Sequence, residues 1–350
     1  MRGGGAVGGV AGGAIADPIG GITNNFGIPN ISISAQNCNS LNLTGISLNL
    51  ETKVAAITAT GTDLIFISDI RLVNANGVPS DERVRTAFRD AKHHSYESFF
   101  NSTKNSRGVG ILISNKLNFG VVEQRTDQDQ NFIVLKVKIN DKIGIFGSIY
   151  GPNSMDRNFF TNLERAINQL RGNDPIPIII GGDWNTTWDR RPVHTNIDTF
   201  HMAGLPNPQN GSFLSLLCDR LNLSDPYRAL YPNKREFTYQ PFGNVRLNRS
   251  RINFFCVSSN LLEALAECNI SSSVLCSMFD HRNIKILFDT NPTPNKSRTL
   301  SNRFLDSKIL KFVIQISSYR CHLYSVDLVD DAVTGLVNAG KLFLIRYGII

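Results

Sequence analysis

Short apolar runs recur through the middle of the chain, each bounded by polar residues or glycine. DLIFIS (63–68), GVGILIS (108–114), NFIVLKVKI (131–139), KIGIFGSIY (142–150) and PIPIIIG (175–181) have this form. They are rich in β-branched and aromatic side chains, which suit a pleated surface, and they predict β-strands. Two stretches carry another period. In NFFTNLERAINQLR (158–171) and SFLSLLCDRLN (212–222) apolar residues return at three and four, which predicts helices with one buried stripe. From ISISAQNCNSLNL (31–43) to HRNIKILF (281–288), hairpin-like strand pairs alternate with a few helices. That mixture predicts a layered α/β sandwich with largely antiparallel or mixed sheets over residues 31–289.

The pattern fades at both ends. Residues 1–30 are Gly-rich and read as a flexible leader, because glycine interrupts them too often for the apolar helix of a signal peptide. TNPTPNKSRTL (290–300) reads as a linker, and residues 301–350 as a helical C-terminal extension without recognisable chemistry.

Composition narrows the class. A chain of 350 residues, 41% hydrophobic and 19% charged, has the size for a continuous core and the balance of globular material. No apolar run is long enough to span a membrane, so the expectation is an intracellular protein. The net charge of +7 favours an anionic partner, nucleic acid first, without setting specificity. Cysteines at 38, 218, 256, 268, 276 and 321 form no CxxC pair or regular spacing. They read as buried thiols, neither a disulfide framework nor a zinc site.

The chemistry gathers at strand ends. In IPIIIGGDWNTTWD (176–189) an apolar strand meets two glycines, then Asp183 and Asn185. The glycines allow close backbone approach, and residues two apart on a strand share a side. The same letters also suit a simple Asx-turn. Other stretches repeat the theme: NCN (37–39), Asp69 in SDIR, Tyr150 in SIYGPN, and Asp280–His281 in FDHRNIKI. Carboxylates that can hold a hard divalent cation, a carboxylate that can align or deprotonate water, and amides, Tyr and His that can stabilise an oxyanion form a set suited to phosphodiester hydrolysis.

In order and wording, NCNSL, SDIRL, RGVGILIS, GSIYGPN, GGDWN, FTY, SRINFF and FDHR resemble the endonuclease/exonuclease/phosphatase superfamily. Within it the chain looks most like the apurinic-type endonuclease domain of non-LTR (LINE-type) retrotransposons. The resemblance implies a four-layer α/β sandwich and a Mg²⁺- or Mn²⁺-dependent nick in double-stranded DNA that leaves a 3′-hydroxyl. It also implies a larger polyprotein with a reverse transcriptase, acting in the nucleus. By motif, Asn37 matches the first-strand Asn near the metal and phosphate, and Asp69 stands where the family has its metal-binding Glu. Tyr150 matches a phosphate-contacting Tyr, Asp183 the residue that orients or activates water, and Asn185 its phosphate-binding neighbour. Asp280 and His281 match the final Asp-His pair, with Asp280 also near the metal. Asn253 in SRINFF replaces the Asp that usually pairs with the catalytic His.

Both departures predict weakened activity. Asp69 is one methylene shorter than Glu, and a neutral Asn253 neither favours imidazolium nor fixes its tautomer as a carboxylate does. QPFGNVRLNR reads as a hairpin, and the resemblance implies that such a hairpin contacts the DNA groove, with Arg246, Arg249, Arg251 and Thr238 as candidate contacts. Trp184 and Trp188 read as packing residues, and His93 and His94 as structural or surface residues. Two alternatives stay open: a non-catalytic DNA-binding copy, and a phosphodiesterase or phosphatase of the same superfamily.

Overall fold

A computed structural model of the chain describes residues 30–41, 50–73, 77, 79–92, 94–188, 197–200, 208–239, 249–271 and 279–289. The Gly-rich leader, the linker, the C-terminal extension and the hairpin carrying Arg246 lie outside the described residues, as do His93 and the tract 189–196.

The first sheet takes the strands β1 (Ile31–Asn37), β2 (Leu64–Ser68), β3 (Tyr96–Asn101) and β4 (Val109–Ser114). The second takes β5 (Phe119–Thr126), β6 (Phe132–Ile139), β7 (Lys142–Tyr150) and β8 (Ile178–Asp183). A two-residue strand β9 (Thr199–Phe200) precedes β10 (Leu223–Ser224), β11 (Arg249–Ser250) and β12 (Asn253–Ser258). β13 (Leu265–Ile270) and β14 (Ile284–Phe288) complete the set. The sheets run β13-β14-β1-β2-β4-β3 and β10-β12-β8-β7-β6-β5, with β11 and β9 forming a separate pair. Within the two six-stranded sheets only β1–β2 and β7–β8 are parallel. The predicted mixed α/β sandwich is what the chain forms.

Strands β2, β4 and β8 are buried along their whole length, which explains why polar letters appear only at their ends. Edge strand β5 instead alternates half-buried and exposed positions. The sheets pack face to face, β1 against β8 and β12 and β2 against β7. The ring of Phe66 meets that of Phe255 at 5.9 Å across the interface, and Ser148 Oγ donates to the Ile67 carbonyl at 2.9 Å. Gly181 is required there: a Cβ would stand 2.3 Å from the Phe255 ring.

Outside the sheets lie α1 (Leu50–Thr58), α2 (Asp81–Arg89), α3 (Arg157–Arg171) and α4 (Pro208–Leu221). α3 begins where the Asp156 side chain accepts from the Phe159 N–H at 3.1 Å, a cap that contributes about 1 kcal/mol. Its stripe of Phe159, Phe160, Leu163, Ala166, Ile167 and Leu170 covers β6 and β7. α1 and α2 were not announced by the apolar pattern. α2 buries only Val84 and Phe88, and a lysine interrupts the buried side of α1.

Candidate active site

Register alone assembles half of the site. Parallel pairing of β7 with β8 sets Tyr150 beside Asp183, and antiparallel pairing of β8 with β12 sets Asn253 on its other side. Residues in register across a sheet project to one face, here towards the first sheet. There β1 ends at Asn37, whose Nδ2 donates to Asp183 Oδ2 at 2.8 Å and ties the two sheets together. The strand stops at Asp183 because its Oδ1 accepts from the Asn185 N–H at 3.0 Å, and Asn185 takes a left-handed φ of 49°. The Asx-turn and the site are therefore the same structure. Asn185 Nδ2 donates to the Gly151 carbonyl at 2.8 Å, and its side chain is hydrogen-bonded to the Tyr150 hydroxyl. On the reverse face Trp184 is fully buried and stacks on Phe254 at 5.7 Å, and Trp188 meets the same ring edge-on, so both tryptophans pack.

Asp280 and His281 arrive just before β14. His281 Nδ1 lies 2.7 Å from Asn253 Oδ1. A carbonyl oxygen only accepts, so Nδ1 carries the proton and Nε2 keeps its lone pair. Asn253 thus selects the tautomer an Asp would select; what it withholds is charge. Burial pushes the His281 imidazole down to about 4, with Asp280 and Asp69 pulling the other way. Nε2 sits 3.8 Å from Asp183 Oδ2 and 3.9 Å from Asp280 Oδ1, but with a neutral ring these are not ion pairs.

Complete burial pushes the Asp183 carboxyl up to about 7, against the Asn185 N–H and the Asn37 amide, and Asp69 adds to the rise. Burial, followed by the charges of Asp69 and Asp183, raises the Tyr150 phenol, so it stays a donor at neutral pH. Asp69, just past β2, is gripped by Arg71 through Nε to Oδ1 at 2.8 Å and Nη2 to Oδ2 at 2.6 Å.

Asn37, Asp69, Tyr150, Asp183, Asn185, Asp280 and His281 line one cleft of about 440 Å³, with Asn39, Asn153, Tyr239 and Arg71 among its other walls and Asn253 buried behind His281. A larger groove of about 600 Å³ between α1 and α2 lies away from all of them. Among the described residues no three His, Cys, Asp or Glu side chains form a ready metal centre. The cleft nevertheless offers oxygen donors of the kind a hard cation takes, and Asp280 Oδ1 is buried without a hydrogen-bond partner. The donor set fits a divalent cation once Asp69 is released.

Two predicted DNA contacts are overturned. Arg251 is fully buried, its Nε on Asp198 Oδ1 at 2.6 Å and its Nη2 on Asp225 Oδ2 at 2.6 Å. Two buried carboxylates beside one guanidinium explain its burial, and the residue locks the approach to β12. Thr238 is also fully buried; its Oγ1 accepts from the N–H groups of Ile252 and Asn253 at 3.1 and 2.9 Å. It positions Asn253 and has no surface for DNA. Arg249 is half-buried in β11.

Lys53 and Arg71 escaped the sequence reading. Lys53 Nζ donates to the carbonyls of Cys38, Asn39 and Ser40 at 2.9, 3.0 and 2.7 Å and lies over the Phe279 ring. It clamps the turn after Asn37, where Asn39 and Ser40 have positive φ. The available signal was a lysine between Leu50 and Val54 on the buried stripe of α1.

No family model matches the chain. The fold is that of the AP endonucleases and related 3′-5′ exonucleases. An AP endonuclease from Archaeoglobus fulgidus superposes with a TM-score of 0.54 at 16% identity, over 74% of this chain and 99% of that one. The AP endonuclease LMAP from Leishmania major gives 0.56 at 14% identity, over 74% and 87%. The 3′-5′ exonuclease NExo from Neisseria meningitidis gives 0.53 at 17% identity, over 74% and 100%. At such identities the likeness establishes the fold.

Proposed function

We propose that this cleft hydrolyses a phosphodiester bond of double-stranded DNA, leaving a 3′-hydroxyl, as the target-nicking part of a retrotransposon polyprotein. The supporting observation is the convergence of Asn37, Tyr150, Asp183 and His281 from both sheets on one cleft, around a carboxyl poised near neutrality. The fold neighbours are AP endonucleases, a 3′-5′ exonuclease and a variant of the 3′ phosphatase NExo bound to a product DNA hairpin. The retrotransposon assignment rests on the wording of the motifs.

Asp183 accepts a proton from water when ionised, and a base with a pKa near 7 balances availability against strength. The Asn185 N–H holds Oδ1, which leaves Oδ2, shared with the Asn37 amide, to meet water. The Tyr150 hydroxyl donates to a phosphate oxygen. A divalent cation, when bound by Asp69, Asp280 and Asn37, would neutralise charge on the phosphate and the leaving oxygen. Arg249 and Arg246 are the proposed backbone contacts, which give salt-sensitive binding without sequence information.

Supercoiled plasmid incubated with Mg²⁺ tests the reading. Relaxed circles that disappear with EDTA and with Asp183→Ala are expected; a folded chain that never nicks sinks it. A second reading, a DNA-binding copy without cleavage, draws support from the neutral His281 and from the arginine on Asp69. It predicts salt-sensitive DNA binding that survives Asp183→Ala.

A further inference from the structure

Arg71 places one N–H on each Asp69 oxygen, and its positive charge there competes with a cation for the carboxylate while it lines the same cleft. The turn from Ser68 to Leu72 aims that arginine. Asp69 and Arg71 both take left-handed φ values, 52° and 48°, which non-glycine residues adopt only when the surroundings enforce them. Here the enforcement is visible: the Arg71 N–H donates to the Arg107 carbonyl at 2.9 Å, and the Asp69 carbonyl accepts from the Ser40 N–H at 2.8 Å. With the backbone pinned, the guanidinium fork meets the carboxylate in parallel bonds, the geometry in which such pairs are strongest. The partners differ in freedom. The Asp69 side chain is 6% exposed and that of Arg71 39%, so the arginine is the one able to swing away.

A phosphate offers the same paired oxygens as a carboxylate and suits the fork equally well. From this geometry we infer that Arg71 couples phosphate binding to cation binding in the cleft. Without phosphate it closes on Asp69 and weakens cation binding there. A DNA phosphate takes over the fork and frees Asp69. Because binding linkage is reciprocal, the cation strengthens phosphate binding by the same factor. The inference rests on the phosphodiester reading of the cleft, in which Arg71 binds the phosphate and gates Asp69.

Mn²⁺ titration of the full chain by calorimetry, with and without a short DNA duplex, tests this without any need for turnover. For the wild type, the duplex should tighten Mn²⁺ about tenfold, or about 1.4 kcal/mol. Arg71→Gln should bind Mn²⁺ alone about tenfold tighter than wild type, with little further gain from the duplex. Arg71→Lys keeps a point charge without the fork and should fall between the two. In the background of Asp69→Ala, replacing Arg71 should have no effect on Mn²⁺. Equal Mn²⁺ affinity of wild type and Arg71→Gln, or duplex tightening that survives the substitution, overturns the coupling. Absence of Mn²⁺ binding in every variant overturns it as well. Coupled binding by a chain that never nicks plasmid would instead uphold Arg71 and reject the nuclease reading.

Discussion

At the scale of single residues, the pairing of His281 with Asn253 fixes the proton on Nδ1 and presents a bare Nε2 to the cleft. With the imidazole held at about 4, about one molecule in a thousand is protonated at pH 7, so the ring rarely donates to a phosphate. Asn253→Asp restores a counter-charge and should raise plasmid nicking about tenfold or more. The assay belongs near pH 8, because the added charge beside Asp183 raises that carboxyl further. An unchanged rate from folded protein would show that His281 charge is immaterial. Asp183 itself predicts a stability profile. Its folded pKa of about 7 exceeds the ordinary 3.8, so between these values the folded state keeps a proton that the unfolded state has released. Stability contributed by this group is therefore lost as pH rises through that window. Asp183→Asn has no such loss and should gain on wild type by roughly 3 kcal/mol between pH 5 and pH 8 in urea denaturation. A difference that stays constant with pH would contradict the assignment.

At the scale of elements, strands such as β2, β4, β6 and β7 were legible because a strand buried between layers must be spelled in apolar letters. β8 was legible too, but its end was placed two residues early: the glycines that read as a stop belong to the strand, and Gly182 adopts a φ of 142° within it. Arg251 was misread for a physical reason. A basic residue beside a predicted hairpin is ordinarily exposed, and its partners Asp198 and Asp225 lie 53 and 26 positions away, where no local pattern reveals them. The ion triad it forms joins the stretch before β9, the end of β10 and the start of β12. Arg251→Met removes the cation and leaves two buried carboxylates, so it should cost about 3–5 kcal/mol in denaturant unfolding. A loss below about 1 kcal/mol would mean that the carboxylates relax to water. Lys53 makes the complementary point. Its charge hid a buried role, because three carbonyls from one turn can satisfy an ammonium as water does.

On the scale of the whole molecule, the motifs at strand ends were legible as chemistry before their convergence was visible, since convergence depends on two sheets stacking with the ends of β1, β2, β7 and β8 at one rim. The Asn37–Asp183 bond ties those rims together directly, and the His281–Asn253 bond spans the same two sheets beside it. Its consequence is mechanical. Hydrogen bonds fade within a fraction of an ångström of stretch, whereas a greasy interface tolerates slight breathing. Mild warming that lets the layers part slightly would thus disconnect the amide from the acid while every strand ladder stays intact. Nicking should therefore fade several degrees below the temperature at which far-ultraviolet dichroism is lost; coincident losses would refute this. The catalytic rim would then act as the fuse of the fold, failing first and reversibly on cooling.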